Sequence, residues 1–286
     1  MSDVRTATVL VSCSDRPGLI AGLAQTLYGH GANILSSDQF TDGEAGQFFQ
    51  RVCFDLATLH TDRRSLEVAI GEVAERFRMR WRISYGDRVK RVAIFVSRTD
   101  HCLYDLLLRH RAGELPCEIA AIVSNHRRLA PIARQFGIPY HAFPITPETK
   151  AEQEKAELRL LEQLEIDLVV LARYMQILSG DFIGRFPSRI INIHHSFLPA
   201  FAGGQPYQQA YERGVKRIGA TAHYATTDLD EGPIIEQDVV RVTHRDSPAD
   251  LVRKGRDVER IVLSRAVRAH LEDRILVFEN KTVVFD

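Results

Sequence analysis

Five short apolar runs constrain this chain more than any other feature. Val92-Ala93-Ile94-Phe95-Val96 is uninterrupted, and Ile119 to Ser124, Pro139 to Phe143, Leu168 to Ala172 and Ile190 to His194 follow it. Continuous rather than alternating apolar character suits strands covered on both faces, as in parallel sheets. Leu103 to His110, Arg127 to Phe136 and Pro147 to Leu164 carry helical spacing between them. Strands alternating with helices predict a doubly wound α/β sheet. Gly219 to Ala225 and Ile234 to Val242 then read as antiparallel strands around an acidic turn. Ser247-Pro248 opens a long helix from Ala249 to about Leu271, and Ile275 to Phe285 offers two short strands.

The last of the five runs carries chemistry at its end: Ile190-Ile191-Asn192-Ile193-His194-His195-Ser196-Phe197-Leu198-Pro199. Side chains alternate along a strand, so Asn192 and His194 share a face and His195 points the other way. An Asn amide donates to a carbonyl oxygen as negative charge develops on it, and a His moves a proton near neutral pH. A third member is expected in Asp228-Leu229-Asp230-Glu231-Gly232-Pro233, where a carboxylate could orient the imidazole and hold a water. The residues alone leave a plainer alternative open: a His closing a strand and an Asp making a turn.

A different pattern precedes this region. Thr6 to Cys13 is β-rich, and Leu19, Ile20, Leu23, Leu27 and Tyr28 fall on one helical face. Strands from Asn33 and over Gln47 to Phe54 follow, then a helix over Ser65 to Arg78 and a strand over Trp81 to Tyr85. That order, βαββαβ, is ferredoxin-like. The expected division is residues 1–85, a polar linker 86–91 and a second domain 92–286.

Acidic and basic residues balance at 37 each, so no basic excess points to nucleic acid. No apolar run approaches the ~20 residues of a membrane span. Met1 to Arg5 does not start a signal peptide, and a cytoplasmic protein is expected. Cys13, Cys53, Cys102 and Cys117 form no Cys-x-x-Cys pair, and Cys13 and Cys53 read as small buried hydrophobes. The eleven histidines show no ligand-like spacing, so no catalytic metal is expected.

Asn192-Ile193-His194 with Ser196-Phe197-Leu198-Pro199, and Leu229-Asp230-Glu231-Gly232-Pro233 downstream, resembles the folate-dependent formyltransferase/hydrolase family, whose domain is Rossmann-like. The resemblance implies that Asn192, His194 and Asp230 surround the formyl group of 10-formyltetrahydrofolate. It implies that Met175, Gln176, Ile177 and Leu178 line the pterin pocket, and that Thr226 and Asp228 belong to the loop closing its other edge. His223 and His195 are candidate supporting residues. The second His and the N-terminal module resemble the hydrolytic branch, which releases formate for purine synthesis and balances one-carbon folate pools. No cofactor is implied, since the folate is the substrate.

With Asp15-Arg16-Pro17-Gly18-Leu19 at its first strand–helix junction, the N-terminal module resembles an ACT domain. The resemblance implies amino-acid binding near Asp15, Gly18 and Asn33, often across a dimer interface, so a homo-oligomer is expected. Glycine and methionine are the implied effectors. Asp15 acting only as a helix cap is the alternative.

One segment departs from the hydrolytic branch. In Phe201-Ala202-Gly203-Gly204-Gln205-Pro206-Tyr207-Gln208-Gln209, Gln208 stands where a His is expected, which bears on rate and pH profile. The acceptor is read from residues. Ser97-Arg98-Thr99-Asp100-His101-Cys102 after the first apolar strand has no glycine to bring bare N–H groups to a phosphate, and Asp100 would repel one. Water is therefore the expected acceptor. A transferase using an amine, or a non-catalytic amino-acid sensor, are the alternatives. Whether His194 or Asp230 is the formal base is left open by sequence.

Overall fold

The structure, a computed structural model, describes residues 5–200 and 206–286. They divide into two compact units. The first holds the described residues up to Val89 with Glu272–Phe278 and Val283–Asp286; the second holds Lys90–Leu271 and Glu279–Thr282.

In the first unit β1 (Thr6–Ser14), α1 (Leu19–Gly29), β2 (Asn33–Asp42), β3 (Gln47–Asp55), α2 (Arg63–Phe77) and β4 (Arg80–Tyr85) follow the expected βαββαβ order. The sheet runs β2-β3-β1-β4, with β1 antiparallel to both neighbours. Period-two alternation turns Ala7, Val9, Val11 and Cys13 toward one face, where Leu19, Leu23 and Leu27 of α1 and Leu66, Ile70 and Ala74 of α2 close a core. Cys13 is buried there, whereas Cys53 is only half-buried. The Asp62 side chain caps α2 by accepting from the Ser65 backbone N–H. Asp15 does not cap α1. Gly18 takes the N-cap position at φ +95°, a backbone region open to glycine, and brings no side chain to cap that end.

The second unit contains β5 (Lys90–Val96), α3 (His101–Arg111), β6 (Cys117–Ser124), α4 (Ala130–Phe136), β7 (Tyr140–Ala142), α5 (Lys150–Gln163), β8 (Leu168–Leu171), α6 (Gly180–Arg185), β9 (Ile190–His194), α7 (Pro206–Arg213), β10 (Arg217–Tyr224), β11 (Ile234–Arg241) and α8 (Pro248–Leu271). The sheet order is β11-β10-β9-β8-β5-β6-β7. Strands β5 to β9 are parallel, while β10 is antiparallel to β9 and β11 to β10. The chain runs outward from β5 to β7, then returns to β8 on the other side of β5. That reversal opens a crevice at the carboxyl ends of β5 and β8, where ligands of such sheets sit. α8 starts with a reciprocal cap: Ser247 Oγ donates to Asp250 Oδ2 at 2.7 Å, and Asp250 N donates to Ser247 Oγ at 3.3 Å.

Two expected boundaries move. Lys90 and Arg91, read as linker, belong to β5; Arg91 N donates to Asp167 Oδ2 at 2.9 Å. Their charge suggested a linker, but both heads find partners in the second unit: Lys90 Nζ donates to Leu271 O at 2.8 Å and Arg91 Nε to Leu164 O at 2.6 Å. The tail forms the two short strands β12 (Ile275–Phe278) and β13 (Lys281–Val284). Expected within the second domain, most of it belongs to the first unit. Leu276, Phe278, Val283 and Phe285 pack on Leu10 and Phe49, covering the face of the first sheet that α1 and α2 leave open. Arg82 holds Asp273 at 3.2 Å.

Phe95 of β5 is 0% exposed, edge-on to Tyr174 at 5.2 Å and Phe182 at 6.0 Å. Phe95→Ala should cost about 3–5 kcal/mol in urea unfolding, through lost transfer energy plus a cavity. A loss under about 1 kcal/mol would show that the site collapses around the smaller residue.

Candidate active site

Asn192 and His194 line one cavity of about 360 Å³ at the carboxyl end of β9, as strand alternation requires. His194 is buried, and its Nδ1 lies 3.1 Å from Asp230 Oδ2. That contact places the proton on Nδ1, since an ionised carboxylate only accepts. Nε2 then carries a lone pair; it is buried and has no partner among the described residues. His223 stands directly opposite Asn192 on β10, at a bulge in the β10–β11 register. Its Nδ1 donates to the carbonyl oxygen of Tyr224 at 2.9 Å, which leaves neutral Nε2 to accept from Asn192 Nδ2 at 3.2 Å. One amide N–H is thus anchored and the other is left for a ligand.

Asp230 reaches this group from the turn between β10 and β11. Its φ is +59°, the left-handed region that costs a residue with a Cβ about 1–2 kcal/mol and that Asp tolerates best. The turn is closed by Tyr224 N donating to Pro233 O at 3.0 Å and by Glu231 N donating to Asp228 O at 3.3 Å. Gly232 is required here, because a Cβ would collide with the Tyr224 carbonyl oxygen. Hydrogen bonding from His194 holds the Asp230 carboxyl well below the usual carboxylate range. Asp230 is therefore a fixed anion, and its Oδ1, 3.7 Å from His223 Nε2, is open to a further donor.

The loop after β8 forms the other wall. Met175, Gln176, Ile177 and Leu178 all line the cavity. Met175 is 60% exposed, Ile177 59% and Leu229 across the cavity 58%, so three large apolar side chains surround a space with nothing to cover them. Leu178 divides its surface with the core below. α6 starts only at Gly180, capped by Ser179, so Ile177 is not the apolar face of a helix. The loop is pinned from beneath: Tyr174 OH donates to Glu157 Oε1 at 3.0 Å, and Ser179 N to Glu154 Oε1 at 3.2 Å. Burial pushes the Glu157 carboxyl up to about 7. Ser97 at the end of β5 ties that loop to the end of β6, donating to Asn125 Oδ1 at 2.7 Å and accepting from Met175 N at 2.9 Å.

Thr226 lines the cavity, but the side chain of Asp228 is exposed and outside that lining; its carbonyl oxygen accepts from Thr226 Oγ1 at 3.0 Å. His195 lies just beyond β9; its ring is 5.2 Å from that of His194 and 5.9 Å from that of Tyr207, and it lines both this cavity and two neighbouring ones. Burial, then Arg173, pushes His195 down to about 4, so it is neutral near pH 7. Gln208 on α7 donates to Glu212 Oε1 at 2.8 Å, while Phe201 to Gln205 lie outside the described residues. In the first unit Asp15 N donates to Gly46 O at 2.8 Å, and both Asp15 and Asn33 expose their side chains.

Sequence reasoning missed a buried polar cluster beside the cavity. Glu259 of α8 is 1% exposed and holds His101 Nε2 at 2.8 Å, Tyr207 OH at 2.5 Å and Arg173 Nε at 3.5 Å. His101, Cys102 and Glu259 bring three ligand-type atoms within 4.8 Å of one another. Burial, then the Glu259 charge, holds the Cys102 thiol protonated, and the carboxylate already has three partners. The set thus reads as a salt link with a thiol beside it. Its members are far apart in sequence, and only the packing of α8 on α3 brings them together.

Comparison with known proteins agrees in extent. The formyl transferase family model matches residues 90–267 and the ACT domain model residues 7–73. A formyltetrahydrofolate deformylase of Synechocystis sp. is 59% identical over 98% of this chain and 98% of its own. One of Bacillus subtilis is 53% identical over 97% of this chain and 93% of its own. The crystal structure of a formyltetrahydrofolate deformylase from Pseudomonas syringae pv. tomato superposes with a TM-score of 0.97 at 48% identity, covering 99% of this chain and 95% of the other.

The depressed Asp230 carboxyl has a pH signature. Such a group contributes stability that is present above its unfolded value of about 3.9 and lost as pH falls through the lower folded value. The stability of the wild type over Asp230→Asn, by urea unfolding, should therefore shrink as pH is lowered from about 6 toward 3. A gap that stays constant over that range would contradict the hydrogen-bonded anion.

Proposed function

This chain belongs to the formyltetrahydrofolate deformylases, and on that premise we propose how its residues carry the reaction. It hydrolyses 10-formyltetrahydrofolate to tetrahydrofolate and formate, supplying formate for purine synthesis and balancing one-carbon folate pools. The observation that carries the residue roles is the bare Nε2 of His194, held by Asp230 beside a free Asn192 N–H.

The pterin lies between the 173–178 and 225–230 loops, covered by Met175, Ile177 and Leu229. Asn192 donates its free N–H to the formyl oxygen and stabilises the oxyanion of the tetrahedral intermediate. A water hydrogen-bonded to Asp230 Oδ1 gives its proton to His194 Nε2 as it attacks the formyl carbon. His194 then passes that proton to the folate nitrogen as the carbon–nitrogen bond breaks, and formate and tetrahydrofolate leave. His194 is the proton carrier in this scheme, because Asp230 is too weak a base to take the proton. His223 positions Asn192. No step is routed through a metal or a prosthetic group.

Water rather than an amine is the acceptor. The Ser97 to Cys102 turn has no glycine, and the Ser97 hydroxyl is committed to Asn125 and Met175. The intact catalytic set speaks against a sensor without turnover. A cytoplasmic setting is supported by four free cysteines, and among the described residues no helix is long and apolar enough to cross a membrane.

The first unit is the regulatory part of this reading, with an amino acid held near Asp15, Gly18 and Asn33. β2 is a ten-residue edge strand with Ile34, Leu35 and Phe40 exposed, and pairing with a second copy would cover it. Glycine and methionine are the effectors to test, by calorimetry on the wild type and on Gly18→Val. Heat from either amino acid that is lost in the variant supports the site, and unchanged heat places it elsewhere.

Asn192→Ala, His194→Ala and Asp230→Ala should each lower turnover about 10²-fold or more while the chain still folds. With a labelled formyl group and no amine present, the label should appear in formate. A folded Asp230→Ala variant of near wild-type rate would remove the assignment.

A further inference from the structure

Arg173 has no role in the reaction scheme above, yet it lines the cavity that holds Asn192, His194 and Asp230. It follows β8 at the strand-order reversal, and its φ is +64°. A side chain there costs about 1–2 kcal/mol that glycine would not, so a Cβ-bearing residue kept at this position calls for a reason. The cavity that holds Asn192, His194 and Asp230 adjoins a second of about 430 Å³, lined by Thr99, His101, Tyr207 and Glu259 among others. Arg173 and His195 are the residues common to both linings. Arg173 is thus part of the partition between the formyl site and a space large enough for a small nucleophile.

The chemistry of that second cavity is unusual for a site whose acceptor is water. Glu259 is the one acidic residue among those lining it. Burial alone would push its carboxyl up, but His101, Arg173 and Tyr207 hold it below the ordinary value, so it is a buried anion. A buried carboxylate lining a cavity that adjoins the formyl site is a ready receptor for a primary ammonium group. Here the guanidinium of Arg173 occupies that role at 3.5 Å, and His101 at 2.8 Å completes it.

We infer that Arg173 is the specificity-determining residue that reserves the formyl group for water: its side chain lines both cavities and pairs with Glu259, which would otherwise hold an amine. Water, small and uncharged, needs no such receptor and reaches Asp230. An amine that entered beside Glu259 as its neutral base would attack the formyl carbon. The carbon–nitrogen bond to the folate would break, and the proton lost by the amine would pass through His194 to the folate nitrogen, leaving an N-formyl amide and tetrahydrofolate. The inference rests on the hydrolytic reading, and the two fail differently.

The test is a partition measurement on the full chain. Enzyme is mixed with 10-formyltetrahydrofolate labelled in the formyl group, with and without glycinamide as the amine probe, and label is counted in formate and in N-formylglycinamide against an enzyme-free control. The ratio of products does not depend on how much of a variant is folded. In the wild type and in Arg173→Lys, label should go to formate whatever the glycinamide concentration. In Arg173→Gly, whose backbone suits glycine, the amide fraction should rise at least about tenfold and saturate with glycinamide, a discrimination of the size that pocket contacts supply. A folded Arg173→Gly enzyme that releases only formate would overturn the inference while leaving the hydrolytic reading in place. A wild type that releases no formate would overturn the reading itself. If Arg173→Gly fails to fold, Arg173→Asn, which tolerates the left-handed backbone and removes the guanidinium while keeping Glu259, takes its place. Its amide fraction should still exceed the wild type's, and equality would overturn the inference.

Discussion

The hydrogen bond between His194 Nδ1 and Asp230 Oδ2 sets the terms for the rest of the site. It fixes the imidazole tautomer, leaves Nε2 bare toward the cavity, and keeps Asp230 ionised. Much of the surrounding structure serves to bring these two atoms together. β9 ends at His194, so the imidazole stands where the sheet stops. The β10–β11 turn carries Asp230 in a left-handed conformation and uses Gly232 for its close approach to Tyr224. The antiparallel pairing of β10 with β9 sets His223 opposite Asn192, which orients the amide that faces the same cavity.

Charge and apolar surface are divided between the walls. The polar wall is the strand-end group of Asn192, His194 and Asp230. The apolar wall is the 173–178 loop, whose Met175 and Ile177 stay uncovered because buried carboxylates of α5 tie the backbone down from below. Ser97 ties the apolar wall to Asn125 at the end of β6 through one hydroxyl, so the end of β5 serves as a structural joint rather than an anion site. A third region, built on Glu259, carries a buried charge whose partners come from α3, α7 and the β8 loop.

Much of this was legible in the sequence, for physical reasons that differ by region. The parallel strands were readable because burial on both faces demands uninterrupted apolar runs, as at Val92 to Val96. Asn192 and His194 were readable as a pair because strand alternation is local. Asp230 was found through its acidic turn and the family resemblance, while its left-handed backbone left no mark beyond the neighbouring Gly232. Arg173, Ser97, Glu157 and Glu259 could not be assigned roles, because each acts through a partner distant in the chain. The tail was placed with the wrong unit because Leu276, Phe278 and Phe285 show that they need an apolar face without showing which one.

The most direct test of the account is the protonation pattern of one imidazole. Nitrogen-15 NMR of the resting enzyme near neutral pH, with the His194 signals assigned by their loss in His194→Asn, reads each ring nitrogen separately. The account requires a proton on Nδ1, shared with Asp230, and a bare Nε2. A proton on Nε2 with Nδ1 bare would contradict it, since His194 could then neither accept from Asp230-bound water nor be held by the carboxylate as described.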